Sequence, residues 1–269
     1  MRRAAAIVAV ALLPWSGTLR AEAVRYDLHV NAVALGSKVF AVDVSASLDP
    51  AGYLVEAALK TAGVADAVAG SEGLFRTVGR IVGNDLHPER FLVRSSGGER
   101  ERRVELAWDA FGLALVEVVP PAAEENREVV PPELLRGTKD LASALLGRLM
   151  LRDGEEPCSG TLRVFDGRRR FDLELHRGPD EVLKPNRHSD FAGPARRCNA
   201  HHRMIAGYRL DYIDRQKGRP PAIYSVWLAE TPDRRMLLPV RLRSETWFGG
   251  FTAYLQSAKR NGAPLLAAQ

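Results

Sequence analysis

The chain has 269 residues, carries 38 Lys and Arg against 33 Asp and Glu for a formal charge of +5 at pH 7, and is 46% hydrophobic. That is ample for a sizeable core in one large β domain or two small ones. The mild basicity suits anionic surfaces but falls short of a nucleic-acid signature, so nucleic acid is excluded as a partner.

Residues 1–23 open with Arg2 and Arg3, run through the apolar "AAAIVAVALL" and end in Ala21-Glu22-Ala23. This is the pattern of a cleaved secretory signal peptide, with an apolar run too short to span a bilayer. The mature protein is expected to be soluble and outside the cytoplasm, with peripheral contact to a membrane allowed. Residues 1–23 hold three arginines and one glutamate, so removing them leaves a net charge of +3.

Period-two alternation dominates the remainder of the chain. Tyr26, Leu28 and Val30 alternate with Arg25, Asp27, His29 and Asn31, and Phe40, Val42 and Val44 with Ala41, Asp43 and Ser45. Tyr53 to Thr61 reads as a third strand, and Val104, Leu106 and Trp108 oppose Arg103, Glu105 and Asp109. Strands with one buried and one wet face are the mark of antiparallel sheet. Ala69-Gly70-Ser71-Glu72-Gly73 resembles a nucleophile elbow but lacks the first glycine and the strand–turn–helix setting. The Pro-rich stretch "VVPPAAEENREVVPP" (118–132) reads as an extended connector. It divides the chain into halves 24–117 and 138–269, joined through 118–137 within a single β-rich domain. In "GTKDLASALLGRLML" (137–151) the pattern is helical, with Thr138 as cap and Leu141, Leu145, Leu146 and Leu149 as the apolar stripe.

Asp166-Gly167 in "TLRVFDGRRRFDLEL" predicts a two-residue hairpin turn, which would set Arg163 directly against Arg170. Like charges in that position destabilise a sheet. A solvated face, with Asp172 in reach of both arginines, accounts for them; the functional alternative is an anion site of forked guanidinium groups, to which Arg103, Arg209, Arg241 and Arg243 on the polar sides of other strands also point. Arg169 has the parity of Phe171 and is expected to snorkel at a rim. Cys158 and Cys198 lie in the exported part and are expected to form one disulfide. Cys198 with His201 and His202 has metal-like spacing, but adjacent histidines point to opposite faces of a strand and the disulfide claims the sulfur, so no metal is assigned. Tyr208, Leu210 and Tyr212 alternate with Arg209 and Asp211, and Leu238, Val240 and Leu242 with Arg241 and Arg243, as further strands. No catalytic or cofactor motif is present, and no cofactor is expected.

The segments "YDLHVNAVALG", "GTKDLASALL", "RVFDGRRRFDLEL", "CNAHHRMIAGY" and "LLPVRLRSETWFGG" together resemble the exported bacterial family called domain of unknown function 3108. The resemblance runs over nearly the whole mature chain. It implies a periplasmic, mostly antiparallel β protein of Gram-negative bacteria without established activity, and it supplies no catalytic residues.

The expected fold is mainly β: a strongly curved antiparallel sheet or partly open β-barrel, with helix 138–151 against its concave side. The expected function is a non-enzymatic envelope protein that binds an apolar or amphiphilic ligand in that concavity. Phe40, Val42, Val104, Leu106, Trp108, Leu162, Phe171, Tyr208, Leu210, Leu238 and Val240 would line it, with Leu141, Leu145 and Leu149 filling part. Arg163, Arg169, Arg170, Trp108 and Tyr208 are the candidate binding residues, for a lipid-like or anionic guest. The alternatives are a protein–protein module that recruits an envelope partner through a strand edge, and a hydrolase with an unrecognised site.

Overall fold

The computed structural model describes residues 23–265 except 64–65, 67–69, 98–99, 110–111, 113, 151–154 and 247–248, so the signal-like segment 1–22 lies outside the described residues. Its strands are β1 (Val24–Ala34), β2 (Ser37–Leu48), β3 (Gly52–Thr61), β4 (Ser71–Val82), β5 (Asp85–Gly97), β6 (Arg100–Trp108) and β7 (Ala114–Val119) in the first half. After two short 3-10 turns (Ala122–Glu125 and Pro132–Leu135) comes helix α1 (Leu141–Leu149). The second half contains β8 (Gly160–Phe165), β9 (Arg170–Arg177), β10 (Glu181–Leu183), β11 (Gly193–Ala206), helix α2 (Leu210–Gln216), β12 (Ile223–Glu230), β13 (Leu237–Thr246), β14 (Gly249–Arg260) and β15 (Ala263–Pro264).

The strands form one sheet in the order β7-β6-β5-β4-β3-β2-β1-β14-β13-β12-β11-β9-β8, with β10 on β11 and β15 on β14. β1 pairs antiparallel with β2 on one side and β14 on the other, so the two halves of the sequence share a continuous ladder. The sheet is mainly antiparallel, strongly curved and not closed, as alternation predicts. Its far ends nonetheless approach one another. Phe165 of β8 packs with Phe91, Val104 and Leu106 of β5 and β6, and Val130 and Leu135 from the 118–137 connector press on the same cluster.

Helix α1 lies between the two arms. Leu146 packs against Tyr26, Tyr53, Val55, Leu86 and Met236; Ala144 against Leu162, Val164, Phe171 and Leu173; Leu149 against the cluster of Cys158, Cys198, Leu228 and Leu237. Burial of these side chains removes apolar surface at about 25 cal/mol per Å², the main force holding the sheet around the helix. The disulfide Cys158–Cys198 is formed, with Cα atoms 5.0 Å apart.

Three local expectations are corrected. The helix starts at Leu141, capped by Asp140, whose carboxylate accepts the Ser143 amide at 2.9 Å; Thr138 instead donates to the Leu135 carbonyl at 2.7 Å. With that start, the buried face is Ser143, Ala144 and Leu146, while Leu141 and Leu145 stand 38% and 41% exposed. Small residues on the packed face let two sheet arms approach one helix, which a leucine stripe would prevent.

The 161–175 hairpin has a four-residue loop, so Arg163 faces Asp172 and Arg170 faces Phe165. Asp166 Oδ1 accepts the amides of Arg168 and Arg169 at 3.0 and 2.7 Å, which closes the longer loop. Gly167, at φ +90°, sits so close to Val104 that a Cβ would fall 2.1 Å from Val104 Cγ1. The like-charged pair that the two-residue turn implied does not exist.

The 208–212 alternation is not a strand. Leu210 and Ile213 are three apart, and Asp211 pairs with Arg215 four residues on at 3.0 Å, both helical spacings that a five-residue window of alternation conceals.

Candidate ligand groove

The five predicted binding residues do not share a site. Arg170 is only 6% exposed and is a structural cross-link: it donates to Asp172 at 2.5 Å, to the Leu134 carbonyl at 3.1 Å and to the Phe171 carbonyl at 2.7 Å. Arg163 is exposed at the rim of a polar cleft shared with Asp85, Lys139 and Arg148. Trp108 donates its indole N–H to the Thr138 carbonyl at 3.1 Å and belongs to the cluster of Phe91 and Leu106. Arg169 and Tyr208 do come together. Arg169 is half-exposed and bonded to Asp166 at 2.8 Å, and its charge acts on buried Tyr208 and on His202, whose Nε2 is 3.0 Å from the Tyr208 hydroxyl. Burial, with the Arg169 charge, lowers the His202 pKa to about 4, and burial raises that of Tyr208.

Nor is there one lined concavity. The predicted lining splits among separate packed clusters: Val104, Leu106 and Trp108 in one; Leu162, Phe171 and Tyr208 in another; Leu238 and Val240 in a third. Phe40 meets Phe251 edge-on at 5.3 Å, and Leu210 is largely exposed. Helix α1 and its clusters occupy the space that a guest was expected to take. Beneath the helix the packing is also polar: Asp140, fully buried, accepts from Ser143 Oγ at 2.5 Å and Thr77 Oγ1 at 3.0 Å, and the Tyr53 hydroxyl donates to Ser143 Oγ at 2.8 Å. Burial raises the pKa of Asp140 against these hydrogen bonds.

The residues suspected of chemistry are committed elsewhere. Ser71 begins a strand and donates its amide N–H to the Thr61 hydroxyl at 2.9 Å. Cys198 is in the disulfide, His201 lies against His176, and His202 turns to Tyr208. Among the described residues there is no group of three or more His, Cys, Asp or Glu placed to hold a metal.

A groove with an apolar floor opens on the other face. Strand alternation places Tyr26, Tyr53, Val55 and Thr77 toward the helix, so their neighbours at Arg25 and Asp27, Glu56, Leu74 and Arg76 point away from it. Across β14-β1-β2-β3-β4-β5 these outward residues form a groove of about 560 Å³. Cross-strand pairing sets its order: Ala58 faces Leu74, Leu74 faces Arg94, and Arg76 faces Leu92. On the floor, Leu74 stands 60% exposed beside Ala58 and Leu92. The walls are charged. Arg25 binds Asp27 at 2.9 Å, His29 binds Asp43 at 2.6 Å, and Arg76 lies 3.6 Å from Glu56, while Arg94 and Lys259 have no carboxylate partner among the described residues. An exposed apolar floor beside uncommitted cations can take a chain with an anionic end.

The sequence does carry a signal for this groove, outside the alternation that pointed to the helix side. "LF" at 74–75 and "FLV" at 91–93 put apolar residues on both parities of strands that otherwise alternate. A strand apolar on both faces has work for both.

A family model described as "Protein of unknown function (DUF3108)" matches residues 25–256. The chain belongs to that family. No curated protein matches it. Among solved structures, this DUF3108 chain is similar to a beta-barrel-like protein of domain of unknown function DUF1849 from Brucella abortus, at 12% identity, over 88% of this chain and 97% of that one, with a TM-score of 0.50. At that identity the likeness concerns the fold: a curved sheet of barrel-like form.

Proposed function

We propose that this DUF3108 protein is a non-catalytic, exported envelope protein that binds an amphiphile with an anionic head in the outer groove across β14 and β1–β5. The reading rests on one observation: the side chain of Leu74, 60% exposed, forms an apolar floor in the same groove as Arg94 and Lys259, which have no carboxylate partner among the described residues. The signal-like residues 1–23 and the Cys158–Cys198 disulfide support export to an oxidising compartment. A groove open along its length fits an acyl chain that enters sideways, as from a membrane surface.

The test is equilibrium binding of a fluorescent long-chain fatty acid to the purified protein. Leu74→Asp and Arg94→Glu should each weaken binding about tenfold or more, the equivalent of about 1.4 kcal/mol, with the thermal midpoint unchanged because both side chains are exposed. Unaltered binding in both variants, or none in the parent, would refute the reading.

An envelope-assembly module is the second reading. It draws on β7, which among the described residues is an end strand paired with β6 alone and bears exposed Val116 and Val119, an edge to which a partner strand could add short of the Val119 carbonyl that Arg168 holds. Crosslinking from position 116 to an envelope protein in cells would support it; crosslinks confined to the groove would not.

A further inference from the structure

A second, separate site is built where β10 folds over β11–β14. Register places Arg197, Trp227, Arg241 and Tyr254 side by side on four successive strands, so their side chains make one lateral row. The Arg241 guanidinium carbon lies 3.8 Å above the centre of the Trp227 ring. This is cation–π geometry that holds the guanidinium flat over the ring. From β10, Glu181 reaches back across the row: one carboxylate oxygen is 3.1 Å from Arg197 and the other 3.3 Å from Arg241. These residues, with Arg243 and Thr252, line a pocket of about 310 Å³.

Hydrogen bonding in this pocket is incomplete. Arg197 Nε, Trp227 Nε1 and Arg241 Nε are all buried, and none meets an acceptor. Buried N–H groups nearly always find one, so three orphans on three neighbouring side chains leave this corner of the sheet richer in donors than in acceptors. The charges agree. Three arginines surround one glutamate within the lining, and Arg243, whose partner Glu245 is itself exposed, leans on a weak surface pair.

We infer that this pocket binds a phosphate group, held between Arg197, Arg241 and Arg243, and that Glu181 is its built-in competitor. Glu181 already shows how an oxyanion sits there, one oxygen on each guanidinium. A phosphate presents more acceptor oxygens and more charge than a carboxylate, so it can engage these arginines and reach donors that Glu181 leaves unmet once Glu181 swings aside. The site is independent of the amphiphile groove: it shares no lining residue with it. The phosphate can be a free ion or the headgroup of a lipid.

Two titrations of the full-length protein test this. One uses inorganic phosphate, followed by calorimetry; the other uses phosphatidylcholine vesicles doped with phosphatidic acid, followed by flotation. Binding in the first arm identifies a free-ion site, and binding in the second alone, weakened by Arg241→Gln, a headgroup site. In whichever arm binds, Glu181→Gln should tighten binding several-fold by removing the competitor. Arg241→Gln should weaken it about tenfold, the scale of one charge-assisted contact. Trp227→Phe keeps an aromatic ring under Arg241 but deletes the N–H and the pyrrole half of the indole, and should weaken it by a smaller factor. Leu74→Asp in the groove should leave the inorganic-phosphate titration unchanged, and vesicle binding that Leu74→Asp weakens but Arg241→Gln does not belongs to the groove and counts against this site. No binding in either arm, or Glu181→Gln binding no tighter than the parent, overturns the inference even if Arg241→Gln fails to fold.

Discussion

The two faces of this sheet have had opposite fates. On the helix side, α1 meets three clusters, a disulfide and a fully buried carboxylate, and the concavity expected for a guest is filled. On the other side, the same strands leave a groove with an exposed leucine floor and a pocket whose arginines outnumber their carboxylates. Alternation supplied both faces in equal number. What differs is whether another element covers them. The helix covers one, whereas β10 covers only part of the other, over β11. Structure is therefore concentrated on one side and available chemistry on the other. A ligand site in such a fold is better sought where apolar residues break the wet parity than where the core pattern is strongest.

Substitutions on the helix side should act on stability, and the largest effect is expected at the disulfide. It closes a separation of 40 residues, so replacing Cys158 and Cys198 by Ala should cost about 4 kcal/mol by loop entropy. Urea unfolding of the double variant against the oxidised parent measures this, and a loss under about 1 kcal/mol would mean that packing around Leu228 and Leu237 already holds the junction.

Next comes the contrast within one helix. Leu146→Ala should cost about 3 kcal/mol through the cavity that it leaves beside Tyr53 and Leu86, whereas Leu145→Ala, one residue earlier and partly in water, should cost under about 1 kcal/mol. Equal losses would show that α1 is rotated from the described packing. Asp140→Ala removes the cap and the carboxylate that the Thr77 and Ser143 hydroxyls share, for an expected loss of about 2–3 kcal/mol, read in the same unfolding assay.

His202 gives the protein a pH response of similar or smaller size. Its folded pKa of about 4 lies below the unfolded value of 6.5, so the unfolded chain takes up the proton first as pH falls. The stability that comes from keeping it neutral is complete above pH 6.5 and is lost as pH falls from there toward about 4. Solvent screening reduces the full shift to roughly 2 kcal/mol. Comparing unfolding midpoints at pH 7 and pH 4.5 should show this slope in the parent and a shallower one in His202→Gln. Smallest of all is Arg163→Ala: the side chain is exposed, and Asp172 opposite it is already bound by Arg170 and Arg203, so the change should stay within about 0.5 kcal/mol.

Much of the fold was legible in the residues alone. Strand alternation at Tyr26–Val30, Phe40–Val44 and Val104–Trp108 is a local consequence of side chains pointing to opposite faces, so it reads directly as half-buried antiparallel strands. The helical spacing of leucines at 137–151 marked the helix, and the exported context with two cysteines marked their pairing, because both signals are short-range or compartmental. The site was far less legible. Whether Asp166-Gly167 closes in two residues or four depends on Val104 and Leu106, which meet Gly167 from a distant strand. Which leucines of α1 are buried depends on how closely two sheet arms approach it. Arg170, expected to face a ligand, is sealed by the Leu134 carbonyl from the connector. The Arg197–Trp227–Arg241 row exists only once three successive strands pair in one register. Local pattern decides which way a side chain points from its own backbone; what waits there, water, a helix or another arginine, is a matter of long-range pairing, and only the tertiary structure decides it.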